Sequence, residues 1–251
     1  MGIIRGSHNK KESGQQPVHM SDKIILNNLL NVKERIKNVS IRSGRLPDSV
    51  RLVAVSKKIS PEQIKTAIDG GALIFGENYI QEAQNKISLL GRKVKWHFIG
   101  HLQSNKAKYA VELFDMIHSV DNYSLAEMLD KEAKKKAKTV PILIQVNISG
   151  EQTKHGLDPG KIFKLIEKIS ILENLRIKGL MTMPPWSQNP EDSRPYFVSL
   201  RKLRDELEPA KPENVSLSEL SMGMSSDFEV AIEEGATIVR IGTSIFGPRG
   251  C

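Results

Sequence analysis

The sequence predicts an α/β protein, a single (β/α)8 barrel of TIM type with an N-terminal leading helix, on three observations. First, eight short apolar runs lie at residues 51–57, 72–76, 95–100, 116–120, 141–147, 175–183, 219–223 and 237–242. Most lack a period of two and are rich in Val, Ile and Leu, the pattern of strands covered on both faces in a parallel sheet. Second, segments of helical spacing separate the runs, and strand followed by helix, repeated over ~250 residues, is what such a barrel requires. Third, a turn suited to phosphate, Gly242-Thr243-Ser244, follows the last run. A doubly wound open sheet would place that turn after its first strand, whereas barrels commonly bind phosphate after strands seven and eight.

The elements follow in order. A leading helix is expected around Ile24 to Val39, ahead of the strand Leu52-Val53-Ala54-Val55, which runs into Ser56-Lys57-Lys58. Ser60-Pro61 then supplies a cap and a proline at the first helical position, Ile64, Ala67 and Ile68 share a face, and Gly70-Gly71 closes the helix. Later helices carry their apolar faces on Ile80, Ala83 and Ile87, on Leu125, Met128, Leu129 and Ala133, on Ile162, Leu165, Ile166 and Ile169, and on Phe197, Leu200, Leu203 and Leu207. Ser226 and Glu229 have capping-box spacing ahead of Phe228, Ala231 and Ile232, with Gly235 at the close.

Composition narrows the classes of function. With 39% hydrophobic residues among 251, the chain can bury a sizeable core. The single cysteine, Cys251, gives no disulfide framework and no cysteine zinc spacing, and points to a reducing, cytoplasmic setting. No apolar run approaches the ~20 residues needed to span a bilayer. Residues 1–20, with Gly-Ser-His and His-Met pairs and no signal-peptide apolar core, read as a disordered or cloning-derived extension, so the barrel is expected over 21–251. A net charge of +8 raises the question of nucleic acid. Yet the densest basic run, Lys131 to Lys138, has no interleaved aromatic to stack bases and reads as a solvated helix face. Neither nucleic acid nor a membrane is expected as a partner, and a monomer is expected over a dimer.

In a barrel the C-terminal strand ends converge on one mouth. Lys57 stands at such an end and could form a Schiff base; the plainer alternative is a solvated terminal lysine like Lys58 beside it. The backbone N–H groups and hydroxyls around Gly242-Thr243, with the small residues from Ser221 to Ser226, suit an anion such as a phosphate. Ordinary caps, with Gly for backbone freedom and Thr for capping, are the alternative there. Lysine and turn together fit an aldehyde that carries a phosphate, and pyridoxal 5′-phosphate (PLP) is that molecule. Arg240, costly to bury without an acceptor, could make a structural ion pair or donate to the pyridine nitrogen. An arginine in the second role keeps that nitrogen unprotonated and weakens the cofactor as an electron sink. His97 and His101 flank a strand end, where their spacing does not align two ligands, and no metal is expected.

The motifs AVSK (54–57), FGEN (75–78), WHFIGHLQSNK (96–106), GLMTM (179–183), SMGMSSDF (221–228) and RIGTSIFG (240–247) closely resemble, in order, those of the YggS/PROSC family of pyridoxal-phosphate homeostasis proteins. The resemblance implies a fold-type III PLP-binding barrel like the N-terminal domain of alanine racemase, without that enzyme's C-terminal β-domain. It implies Lys57 as the lysine that carries PLP as a Schiff base, with Arg240 facing the pyridine nitrogen. By motif position, Asn78 would lie beside the ring, while Ser221, Ser225 or Ser226, Gly242 and Thr243 would surround the phosphate. The implied role is intracellular homeostasis of PLP (vitamin B6) and amino acids, with PLP-dependent apo-enzymes as recipients and no catalytic residue assigned. The alternatives are a PLP-dependent amino-acid racemase or lyase, and a lysine-dependent aldolase, which has no ring nitrogen for Arg240 to meet. Only four residues follow Gly247, so no further domain is expected to bring a second acid or base, and racemisation should be slow.

Overall fold

A computed structural model of the chain describes residues 20–151 and 153–248. The extension expected over 1–20 therefore lies outside the described residues except for Met20, which opens the first helix, α1 (Met20–Arg42). Eight strands follow: β1 (Arg51–Val55), β2 (Ile74–Glu77), β3 (Lys95–Phe98), β4 (Met116–Val120), β5 (Val140–Gln145), β6 (Leu175–Met181), β7 (Glu219–Ser221) and β8 (Ile238–Ile241). Each pairs in parallel with its neighbour in sequence, and β8 returns to β1 through Arg51 opposite Ile238 and Ala54 opposite Ile241, closing the barrel. The expected architecture is thus the observed one, and the open-sheet alternative falls.

Side-chain alternation along the strands separates two layers of core. Val53, Met116, Leu143, Met181 and Ile238 fill the barrel interior. Their neighbours Ala54, Phe75, Trp96, Phe98, Ile117 and Ile241 point outward into the larger core beneath the helices. Those helices are α2 (Pro61–Asp69), α3 (Ile80–Leu90), α4 (Ala107–Leu113), α5 (Tyr123–Lys135), α6 (Ile162–Ser170), α7 (Arg194–Leu207), α8 (Phe228–Glu233) and α9 (Thr243–Phe246). On α1, Ile25, Leu29, Val32, Ile36 and Val39 recur every three or four residues and are all buried. Each such side chain removed from water contributes roughly 1.5–3 kcal/mol. Asn28 Nδ2 also donates to Ile245 O at 3.1 Å, which ties α1 to the short α9 and so to the end of β8.

Ser60 caps α2 as its sequence predicts, in a reciprocal box with Gln63. The capping box expected from Ser226 and Glu229 does not form. The residue ahead of α8 is Asp227, whose Oδ1 accepts from Met224 N at 2.6 Å and whose Oδ2 accepts from Ser193 Oγ at 2.9 Å. Glu229 is held instead by Arg35 of α1 at 2.9 Å, and Ser226 is left at the barrel mouth. The basic run ends α5 with Lys131, Lys134 and Lys135 exposed, Lys135 pairing with Glu132 and Lys136 with Glu112. Among the described residues no helix is long and apolar enough to cross a membrane.

Candidate functional site

The parity that builds the core also aims the site. Counting up β1, Val53 is interior, so Val55 and Lys57 share its side of the strand, and both line a cavity of about 520 Å³ at the C-terminal mouth. Lys58 is exposed with φ of 61°, on the outside of the turn. The strand-end lysine that could react with a ligand in this cavity is therefore Lys57. On β8, Ile238 is interior, and Arg240 and Gly242 follow on the same side into the same cavity. Asn78, one residue beyond β2, enters from the next strand, and its Oδ1 is buried with no hydrogen-bond partner among the described residues. A ligand's polar atom would satisfy it.

The loop after β7 and the turn after β8 form the opposite wall, with Ser225, Ser226, Thr243 and Ser244 on the cavity. Ser225 Oγ accepts from the N–H groups of Gly242 at 3.1 Å and Ser244 at 3.3 Å, so its hydroxyl oxygen locks the two segments together. Gly242 has φ of −118°, which is not left-handed, so the backbone freedom considered for it is not what this position uses. Among the described residues the lining includes two cationic side chains, Lys57 and Arg240, and no acidic one. A phosphate dianion meets favourable charge there.

Ser221, expected among the phosphate contacts, lies elsewhere. It is wholly buried inside the barrel, where its Oγ accepts from Arg240 Nη1 at 2.6 Å and pairs with His118 Nδ1 at 3.0 Å. The reason is its place at the end of β7, on the interior face and one layer below the mouth. Arg240 Nη2 donates to Thr182 O at 2.9 Å, so the guanidinium finds its acceptors in a hydroxyl and a carbonyl. Burial brings the guanidinium down to about 10, partly offset by the charge of Asp227. The chain continues downward from His118 Nε2 to His97 Nδ1 at 3.0 Å. Arginine can only donate, so Ser221 Oγ accepts from Arg240, while the Ser221–His118 and His118–His97 bonds take their direction from the imidazole tautomers. Burial holds both imidazoles neutral, His97 at about 4 and His118 well below 6.5.

Lys57 is braced from outside the barrel. Lys86 of α3 is buried, and its Nζ donates to Ser56 O at 2.6 Å, Glu77 Oε1 at 2.8 Å and Glu82 Oε1 at 2.7 Å. Ser56 Oγ donates to the same Glu77 oxygen at 2.6 Å. Burial pushes the Glu77 carboxyl up, against the opposing pull of Lys86 and Ser56. The end of β1, immediately before Lys57, is thereby tied to β2 and α3.

Six lining groups were not among the expected site residues: Val55, Ile99, Met183, Trp186, Met224 and Ser244. Met224 and Ser244 sit inside motifs already singled out, and Ile99 follows His97 by the same two-residue step that puts Lys57 above Val55. Trp186 carries no such periodic signal. It comes from the irregular loop after β6 and is 76% exposed at the rim.

The chain matches the alanine racemase N-terminal domain family over residues 28–250. It is 48% identical to the pyridoxal phosphate homeostasis protein of Aquifex aeolicus over 222 residues, covering 88% of this chain and 96% of that one. It is 40% identical to the protein of the same name from Vibrio alginolyticus over 230 residues, covering 90% and 97%. Among solved structures it resembles PipY of Synechococcus elongatus PCC7942 with PLP bound, at a TM-score of 0.79 and 38% identity over 89% of this chain and 100% of that one. Alanine racemase from Corynebacterium glutamicum, at a TM-score of 0.68 and 13% identity over 89% of this chain and 62% of that one, shares the fold.

Proposed function

The chain belongs to the alanine racemase N-terminal domain family, and from that premise we propose that it binds PLP and serves intracellular PLP homeostasis as a carrier rather than as an enzyme. The observation that carries the reading is one cavity holding Lys57, Arg240, Ser226 of the loop after β7 and the Gly242-Thr243 turn, with no acidic residue among the described residues of its wall. The names of the relatives and the PLP-bound PipY structure support it. When bound, PLP supplies an aldehyde that condenses reversibly with a primary amine, which makes it both storable and transferable.

Each residue has a part. Lys57 offers the amine, held at the mouth by the Ser56, Glu77 and Lys86 network below it. Arg240, fixed by Ser221 and Thr182, would donate to the pyridine nitrogen and keep a proton off it. Asn78, with its buried Oδ1 lacking a partner among the described residues, would meet a polar atom of the ring. Ser226, Gly242 and Thr243 hold the phosphate, while Ser225 fixes the shape of their turn. These residues come from one chain, so the proposed site needs no residue from a second copy, and the single cysteine suits a cytoplasmic setting. PLP-dependent apo-enzymes are the recipients.

An arginine beside the ring nitrogen would weaken the cofactor as an electron sink, and without a second acid or base over the ring α-carbon exchange should be feeble, which is what distinguishes carrier from racemase or lyase by experiment. Deuterium incorporation into L- and D-alanine, followed by NMR in D₂O with an authentic racemase as control, is expected to stay near background while PLP passes to an apo-enzyme in the same tube. Turnover near the ~10 s⁻¹ typical of enzymes would replace the carrier reading with the racemase one.

A further inference from the structure

On the half of the mouth away from Lys57 and the phosphate turn, three strand ends bring together side chains that the cofactor reading does not use. His101 follows β3, Asp121 follows β4, and His155 comes from the loop between β5 and α6. The ligating atoms of the three all lie within 4.8 Å of one another. We propose that His101, Asp121 and His155 form a binding site for a divalent transition cation of the zinc class. Two imidazoles and one carboxylate are a donor set that suits such ions, and three protein ligands leave a coordination position open.

The backbone under each donor is held in place. A side chain at Gly100 would collide with the carbonyl of Asn78, so the residue before His101 is packed directly on the end of β2. Asp121 Oδ1 accepts from Asn122 Nδ2 at 2.8 Å, and Asn122 Oδ1 in turn caps α5 by accepting from Leu125 N at 2.9 Å. That amide orients the carboxylate in the manner of an outer-shell partner. The His155 loop folds back on its own strand, with Leu157 N donating to Gln145 O and Asn147 N to Leu157 O, both at 2.9 Å. Gln145 Nε2 donates to His155 O at 3.1 Å. Gly156, with φ of 118°, permits the fold-back, since a Cβ there would stand 2.7 Å from Asn147 N.

The two imidazoles stack with centroids 3.9 Å apart and planes within 9°. Their lone pairs therefore lie in parallel planes, and capture of an ion requires one ring to turn until two nitrogens stand roughly 3.3 Å apart, the spacing set by tetrahedral Zn–N bonds of ~2.0 Å. Both rings are exposed, so the turn sacrifices stacking and little else. Lys106 lines the adjoining cavity but directs its ammonium over the Tyr109 ring, 6.0 Å from the centroid. That cavity, of about 520 Å³, shares Asn78, Ile99 and Met183 with the PLP cavity, so an ion here would offer its open position beside the cofactor without touching the proposed cofactor ligands on β1 or β8. The site stands independently of the PLP reading.

Zinc titration of the full chain by calorimetry, against His101→Ala/His155→Ala and Asp121→Asn, tests it. Residues His8 and His19 are present in all three chains and cancel in the comparison. The wild type is expected to bind one more equivalent of Zn²⁺ than the double variant, and Asp121→Asn to bind it about tenfold or more weakly. Equal stoichiometry and affinity in wild type and double variant would overturn the site, and an Asp121→Asn chain that binds as wild type would overturn the three-donor assignment. Visible bands of bound Co²⁺ in the wild type should show nitrogen and oxygen ligation of low symmetry and be lost in the double variant; the same bands in both chains, or the spectrum of the hexaaqua ion alone, would overturn the site.

Discussion

A step of two residues along a strand decides what each side chain can do here. Lys57 shares the interior side of β1 with Val53, while Lys58, one position on, is exposed. That distinction was legible in the sequence only once the strand was placed, because both lysines follow the same apolar run. Arg240 was legible as a costly group needing acceptors, but its acceptors were not: Ser221 lies 19 residues away at the end of β7 and the Thr182 carbonyl 58 residues away just beyond β6, and only barrel closure brings both to it. For the same reason Ser221 was read with the mouth residues, although it sits one layer down. His97 and His118 below it make a pH prediction. Both fold as neutral imidazoles because burial opposes their charge, while the unfolded chain takes up protons once the pH falls below about 6.5. Stability is therefore full above that pH and lost as the pH falls toward 4. With His97 at about 4 folded and 6.5 unfolded, its share of the loss between pH 7 and pH 5 is about 2 kcal/mol. Urea unfolding at the two pH values should show a smaller difference in His97→Gln than in the wild type; an unchanged difference would place the loss on other groups.

At the scale of elements, the turn from β8 into α9 and the loop from β7 into α8 act as one piece, joined by Ser225. The phosphate role assigned to this piece makes Thr243→Ala combined with Ser226→Ala weaken PLP binding far more than binding of unphosphorylated pyridoxal. Two hydrogen bonds to a charged group are worth roughly 3–6 kcal/mol together. Fluorescence titration with both ligands measures the difference, and equal weakening would refute the cradle. The eight strands were legible because each is a short apolar run covered on both faces. Helix α4 was not, since its seven residues, with Ala107, Ala110, Val111 and Leu113 buried, are too few for a helical period to emerge. The cap of α8 was misread because Ser226 and Glu229 have the right spacing but Glu229 is drawn to Arg35 across the helix layer.

Across the whole molecule, closure of the barrel turns residues more than 180 positions apart into neighbours: β1 and β8 pair directly, so Lys57 and Thr243 face one cavity. Spacing along the chain carries no trace of that adjacency; the alternation of strand and helix does. The mouth divides into a part built mainly after β1, β2, β7 and β8, with Ile99 after β3 and Met183 and Trp186 after β6 completing its wall, which suits PLP, and a part after β3, β4 and β5, which gathers His101, Asp121 and His155. The central claim is that PLP sits in the first part, covalently held by Lys57. Borohydride reduction of the PLP-loaded protein followed by peptide mapping tests it most directly. The pyridoxyl group is expected on Lys57, and Lys57→Ala should lose the label while keeping some affinity through the phosphate contacts. Label found on Lys58, on another lysine or on none would contradict the assignment.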